Sequence, residues 1–191
     1  MNTRDRILDV AAESFLVEGY ANSRMTEICK RVGISRAALY KYFPDKRALL
    51  IGLNERVIND AETQGIARLL GPGAAADRIG DWLRDNLGSQ WRHNAVRVVT
   101  LEETQGVLAD DSVATQALLA NVGKALESAI RAGIRSGEFR DDLKPKQAAY
   151  AIQALLLGLH RNNVSLRPIL EVRDDRHIET VVELIVGGLR K

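Results

Sequence analysis

Residues 23 to 43 read Ser23-Arg24-Met25-Thr26-Glu27-Ile28-Cys29-Lys30-Arg31-Val32-Gly33-Ile34-Ser35-Arg36-Ala37-Ala38-Leu39-Tyr40-Lys41-Tyr42-Phe43. Met25, Ile28, Cys29 and Val32 recur at i, i+3, i+4 and i+7, one face of a helix that Ser23 can cap and Gly33 stops. Ser35 caps a second, short helix. Pro44 must end it, because the ring disfavours helical geometry in the residue before it. Two short helices meeting at a tight turn make a helix-turn-helix. Glycine suits position 33, where the chain turns sharply, often with positive φ. Ile28, Val32, Ile34 and Leu39 supply a small core that fixes the angle between the helices. Ser35, Arg36, Ala37, Ala38, Tyr40, Lys41 and Tyr42 are left facing outward. The small residues admit close approach to a groove, and the long polar ones reach base edges or phosphates. The free N–H groups at the start of the second helix also favour a phosphate.

Charge points the same way. Arg24, Lys30, Arg31, Arg36, Lys41, Lys46 and Arg47 stand against Glu27 and Asp45, a net +5 in a chain whose total is only +2. A basic cluster inside a well-patterned segment suits a phosphate backbone, although a solvated helix face would show the same charges.

Outward from this stretch the periodicity stays helical. Ile7, Leu8, Ala11, Ala12 and Phe15 line one face of a first helix, capped by Asn2 or Thr3 and ended by Gly19. Asp45 caps a fourth helix carrying Leu49, Leu50, Leu53, Val57 and Ile58. Gly71-Pro72-Gly73-Ala74 is the clearest break in the chain. Helices of about 12 to 25 residues are expected beyond it. They start at Asp110-Asp111-Ser112, Leu143-Lys144-Pro145 and Asp174-Asp175, with a further helix over Arg97–Leu108. No stretch alternates with period two for long, so the expected class is all-α.

The segment resembles the TetR family of transcriptional regulators. The resemblance rests on a cap residue (Ser23), Ile28-Cys29, the turn Gly33-Ile34-Ser35, the helix Leu39-Tyr40-Lys41-Tyr42-Phe43, and the following Pro44-Asp45-Lys46-Arg47-Ala48-Leu49-Leu50. It implies an N-terminal three-helix helix-turn-helix domain, taken as residues 1–47, and a helical effector-binding and dimerisation domain, 48–191. It also implies roles. Arg36, Ala38 and Lys41 are assigned to base edges, and Ser23, Thr26, Ser35, Tyr40, Tyr42 and Lys46 to phosphates. Ala37 lies in the groove face. Three positions depart from the family pattern. Cys29 stands where alanine is usual and reads as a small buried hydrophobe or as a redox-sensing thiol. Ala37 replaces a frequent glycine, and Tyr42 a frequent histidine.

The resemblance further implies a homodimer through the last two helices, roughly 145 to 164 and 175 to 190. Ile152, Leu155, Leu156 and Leu159 form a stripe on the first, with Gly158 beside them; Ile178, Val181, Val182, Ile185 and Leu189 form one on the last. Helices apolar over so wide an arc need cover on more than one side. An effector pocket among the middle helices is implied too, its candidate lining residues being Trp82, Trp91, Glu102, Gln105, Tyr150 and His160, with His93, Glu103 and Asn163 behind them. The expected partners are double-stranded operator DNA and an unidentified small-molecule effector. The alternative is a helical protein-interaction module without specific DNA binding.

Enzyme chemistry finds no foothold. There is no Gly-x-Ser-x-Gly or His-Glu-x-x-His, and His93, His160 and His177 lack metal-ligand spacing. Cys29 is the one cysteine, too few for a disulfide or a thiolate metal site. Gly71-Pro72-Gly73-Ala74-Ala75-Ala76 follows no strand and reads as a linker rather than a dinucleotide loop. No catalytic residue, cofactor or metal is expected. The N-terminus shows no signal-peptide core, and the longest apolar run, at Leu155–Leu159, is too short to span a bilayer. A cytoplasmic protein is expected.

Overall fold

The computed structural model describes residues 2–88, 95, 98–99, 102–108, 112–165 and 175–191; of residues 102, 112 and 160–165 it describes the backbone. Within them every regular element is helical, apart from an isolated bridge between Phe139 and Arg190.

Local capping explains the first four helices. α1 (Thr3–Glu18) starts where the Asn2 side chain accepts the Asp5 N–H at 2.8 Å. It ends at Gly19, whose φ is 83°. α2 (Met25–Val32) differs from expectation at its start. Arg24 occupies the cap position without a side-chain bond, and Ser23 is buried, its hydroxyl donating to the Gly19 carbonyl at 2.8 Å. Ser23 therefore fastens the preceding turn instead of capping the helix. Gly33 then closes α2 in the left-handed region at φ 76°, its N–H donating to the Cys29 and Lys30 carbonyls. α3 (Arg36–Tyr42) is capped by Ser35, whose Oγ accepts the Ala38 N–H at 3.1 Å. α4 (Lys46–Asp60) is capped by Asp45, which accepts the Ala48 N–H at 2.7 Å.

α4 does not stop at Asp60. It runs through a π-helical stretch, Ala61–Ile66, into α5 (Ala67–Leu70), and only Gly71 breaks the rod. Then come α6 (Ala75–Gly88), α7 (Glu102–Gln105), α8 (Ser112–Ser136), α9 (Pro145–Ser165) and α10 (Asp175–Leu189). The last three begin at the expected positions. The helix expected over Arg97–Leu108 ends at Gln105 and gives way to a turn at Gly106–Leu108. The Thr104 hydroxyl bonds back to the Val98 carbonyl, six residues away, a partner that a regular helix would not provide.

Two apolar cores result. The N-terminal one gathers Ile7, Leu8, Phe15, Ile28, Val32, Leu39, Phe43 and Leu53, and is joined by Val98, Val99 and Leu108 from later in the chain. The second gathers Leu69, Ile79, Trp82, Leu126, Phe139, Ile152, Val182 and Leu189 from α5, α6, α8, α9 and α10. Packing there is close. A Cβ on Gly133 would lie 2.2 Å from the Phe139 ring, so glycine is required for that ring to seat. No helix among the described residues is long and apolar enough to cross a membrane.

Candidate functional site

α3 lies on the surface of the N-terminal unit with its outer face open. Leu39 and Phe43 are buried at 0% and 3%, while Tyr40 and Tyr42 remain 45% and 47% exposed. Arg36, Ala37 and Lys41 are exposed and Ala38 is half-buried. Arg36 and Lys41 have no ion-pair partner among the described residues, whereas neighbouring cations are engaged. Arg31 pairs with Glu13 at 2.7 Å and Lys30 with Glu27 at 2.9 Å. Unpaired, solvated cations flanking a small-residue strip form a surface an anionic groove can enter without first breaking ion pairs.

The scaffold behind this face is held from several sides. Arg6 donates to the Val32 carbonyl at 3.0 Å, tying α1 to the end of α2. Arg56 on α4 reaches Asp9 on α1 at 3.0 Å; burial pushes the Asp9 carboxyl above the usual range, and Arg56 opposes that shift. Arg4 stacks over the Phe43 ring at 5.3 Å. Lys46 is committed inward. Its Nζ donates to the carbonyls of Tyr20 (2.5 Å), Ala21 (2.8 Å) and Ser23 (3.2 Å) and sits 4.6 Å from the Tyr20 ring centre. The turn between α1 and α2 is thus pinned to the start of α4. From the other side, the Glu103 carboxylate accepts the Tyr20 and Ala21 N–H groups at 3.2 and 2.5 Å. That turn touches both the DNA-facing unit and the segment carrying α7.

A cavity of about 120 Å³ lies where α4 and the π-helical stretch meet α6, α8 and α9. Val57, Ile58, Leu118, Val122 and Leu156 give it apolar walls. Asn54, Trp82, Asn86, Thr115 and Gln153 bring polar atoms to it, and Val99 reaches it from the N-terminal core. Departures from regular helix tend to accompany functional sites, and here Ala61 of the π-helical stretch lines the wall.

Comparison with known proteins agrees with this arrangement. Residues 7–53 match the family described as bacterial regulatory proteins, tetR family. The HTH-type transcriptional repressor NicS of Pseudomonas putida is 29% identical over 179 residues, covering 89% of this chain and 81% of NicS. The N-terminal domain belongs to the TetR family. Two solved structures, one of them a TetR family transcriptional regulator, match along nearly the whole chain. PfmR of Thermus thermophilus has a TM-score of 0.72 at 22% identity, covering 97% of this chain and 100% of PfmR. AibR in complex with isovaleryl coenzyme A and operator DNA has a TM-score of 0.64 at 19% identity, covering 96% and 97%. As a TetR-type protein the chain is a DNA-binding transcriptional regulator, not a bare interaction module.

Seen in the TetR arrangement, the expected DNA-facing residues divide. Arg36, Ala37, Ala38, Tyr40, Lys41 and Tyr42 share the open face of α3, and Ser35 caps it. Thr26 is half-buried at the start of α2. Ser23 lies beneath that surface, 3% exposed, and Lys46 is drawn onto the turn carbonyls. Of the expected pocket residues, Trp82 lines the cavity. Tyr150 does not: it is 74% exposed on the outer face of α9. Gln105 is exposed as well, its amide donating to the Val99 carbonyl. Trp91, His93 and the side chains of Glu102, His160 and Asn163 lie outside the described residues. Asn54, Asn86, Thr115 and Gln153 were not expected. Asn54 had a readable signal, since it follows Leu50 and precedes Ile58 by four residues, a polar amide in the apolar arc of α4.

Proposed function

We propose that the chain is a cytoplasmic, homodimeric repressor that a small-molecule effector releases from its operator. One observation carries this reading: a single helix, α4, begins directly beyond the open face of α3 and lends Asn54, Val57 and Ile58 to the cavity. Whatever fills the cavity bears on the element that positions the DNA-facing helix. The AibR complex, with ligand and operator DNA both present, supports the same coupling by analogy.

In this reading residues 1–47 bind DNA and residues 48–191 bind effector and partner. Arg36, Ala38 and Lys41 take base edges. Tyr40, Tyr42, Thr26 and the α3 N-terminus take phosphates. Leu155 and Leu184 are 55% and 72% exposed on α9 and α10, and they share the apolar face that a second copy covers. Two-fold symmetry then requires a near-palindromic operator, with half-sites about one helical turn apart or further if the subunits spread. An effector shifts the equilibrium toward the non-binding form by its differential affinity for the two forms. The Glu103 carboxylate, anchored close to cavity-lining Val99, is positioned to pass that change to the turn before α2.

Footprinting on DNA upstream of the protein's own coding region, followed by selection from random sequence, tests this. A protected near-palindrome is expected, with log affinity falling against log salt by about 0.9 per phosphate neutralised. Joint replacement of Arg36 and Lys41 by alanine should abolish protection. Failure to select any sequence would remove the reading.

A further inference from the structure

The cavity's chemistry restricts its ligand, and Asn54 is the decisive residue. Asn54 is only 5% exposed and lines the cavity, and its amide makes no hydrogen bond to another described side chain or carbonyl, so its polar atoms open onto the cavity itself. The other two amides in the wall are engaged. Asn86 Nδ2 donates to the Trp82 carbonyl at 2.7 Å, and Gln153 Nε2 to the Leu119 carbonyl at 2.8 Å. A carboxamide that opens onto the cavity and is not tied to the protein offers one donor pair and one acceptor to whatever enters. Its presence in an otherwise apolar arc of α4 therefore points to a partner that arrives from outside.

No acidic, basic or histidine side chain occurs among the described lining residues. Against this described lining a carboxylate or phosphate ligand would lose its water with no counter-charge in return. A plain hydrocarbon would fit the walls yet leave the Asn54 amide unpaired. The volume, about 120 Å³, also sets a scale. It suits one six-membered ring, since an apolar cavity of about 150 Å³ holds benzene. We infer that the cavity takes a small, uncharged, mainly apolar molecule bearing one hydroxyl or carbonyl oxygen, which the Asn54 carboxamide binds. This rests on the cavity being the effector site and adds the class of molecule.

The test compares three probes of one ring size on the full-length protein at pH 7: benzyl alcohol, toluene and benzoate, by calorimetric titration. Benzyl alcohol should bind about tenfold more tightly than toluene, the worth of one hydrogen bond. Benzoate should not bind. In Asn54→Leu the alcohol's advantage should vanish. Val122→Phe, which fills the cavity and leaves Asn54 in place, should abolish binding of all three. Benzoate binding as well as the alcohol overturns the inference. So does an alcohol preference that survives Asn54→Leu, binding that survives Val122→Phe, or no binding of any probe to the wild type. Operator affinity is measured alongside. Asn54-dependent binding with unchanged operator affinity would keep the ligand class and remove the effector reading.

Discussion

The two cores of this molecule are both helical, but they fix their geometry in opposite ways. In the helix-turn-helix unit α1, α3 and α4 are each started by a residue beside them, Asn2, Ser35 and Asp45 each accepting an N–H three positions on, and α2 is closed by Gly33 at its own end. In the cavity-bearing unit the determinants are remote. The Phe139 ring seats against Gly133 and is fully buried, the α6 N-terminus is met by Glu138, and the cavity joins Asn54 to Gln153. Local determinants give a rigid shape at low entropic cost. Remote ones set the helices in place only when the whole unit has assembled. The difference is expected to show most strongly in stability. Phe139→Ala should cost about 3–5 kcal/mol, the usual penalty for a buried phenylalanine. The loss should fall on the second core. Cys29, 3% exposed in the N-terminal core, offers an independent probe. Thiol labelling of Cys29 in Phe139→Ala should stay slow at temperatures where the helical signal of the second unit has begun to fall. Simultaneous loss of both signals would show one cooperative unit and break the contrast.

The next largest effect belongs to recognition and should leave stability alone. Arg36→Ala should cost about 1–3 kcal/mol of operator affinity and relax preference at one base pair, if the guanidinium reads a base edge. Thermal midpoint should not move, because Arg36 is exposed and carries no ion pair among the described residues. A uniform loss across all sequences, read by competition binding, would reassign it to phosphate. Gly33→Ala tests the local determinants from within. A side chain at φ 76° costs roughly 1–2 kcal/mol, and nothing nearby obstructs a Cβ there, so the loss is purely conformational. Thermal melts should show this loss in the N-terminal unit, with operator binding weakened in proportion.

The same contrast explains what the sequence made readable. Gly33, Ser35, Pro44 and Asp45 act within four residues of where they stand, so the helix-turn-helix and its outward face could be read directly from spacing. The long helices could be read from periodicity, and their starts at Ser112, Pro145 and Asp175 from turn and cap chemistry. The cavity could not. Its walls come from α4, α6, α8 and α9, and no spacing tells which face of each helix meets the others. Tyr150 shows the difficulty. An aromatic residue one position from buried Ala149 and two from buried Ile152 falls on the opposite side of α9. Lys46 illustrates a related difficulty. The family resemblance assigns it to a phosphate, and spacing gives no sign that three carbonyls of a turn more than twenty residues earlier also bond the ammonium.

The smallest effect expected is at Glu138, and it sharpens the contrast because it is a helix cap supplied from a distance. Its carboxylate accepts the Ala76 N–H at 3.0 Å in the first turn of α6, and the Ser136 hydroxyl at 2.8 Å. The Ala76 bond, followed by those from Ser136 and Ala75 and by the charge of Arg78, holds the Glu138 carboxyl below its ordinary range against the opposing pull of burial. A depressed carboxyl stabilises the fold above the unfolded glutamate pKa, and that contribution is lost as pH falls through the folded value. Wild-type stability should therefore decline below about pH 4.3 partly through this group. Glu138→Gln should lack that part of the decline while losing roughly 0.5–1 kcal/mol at pH 7, the lower range for a helix cap. Because α6 carries Trp82 and Asn86 into the cavity wall, the same variant should also weaken probe binding slightly at pH 7. A variant whose acid profile parallels the wild type at every pH would show that α6 is placed by packing alone.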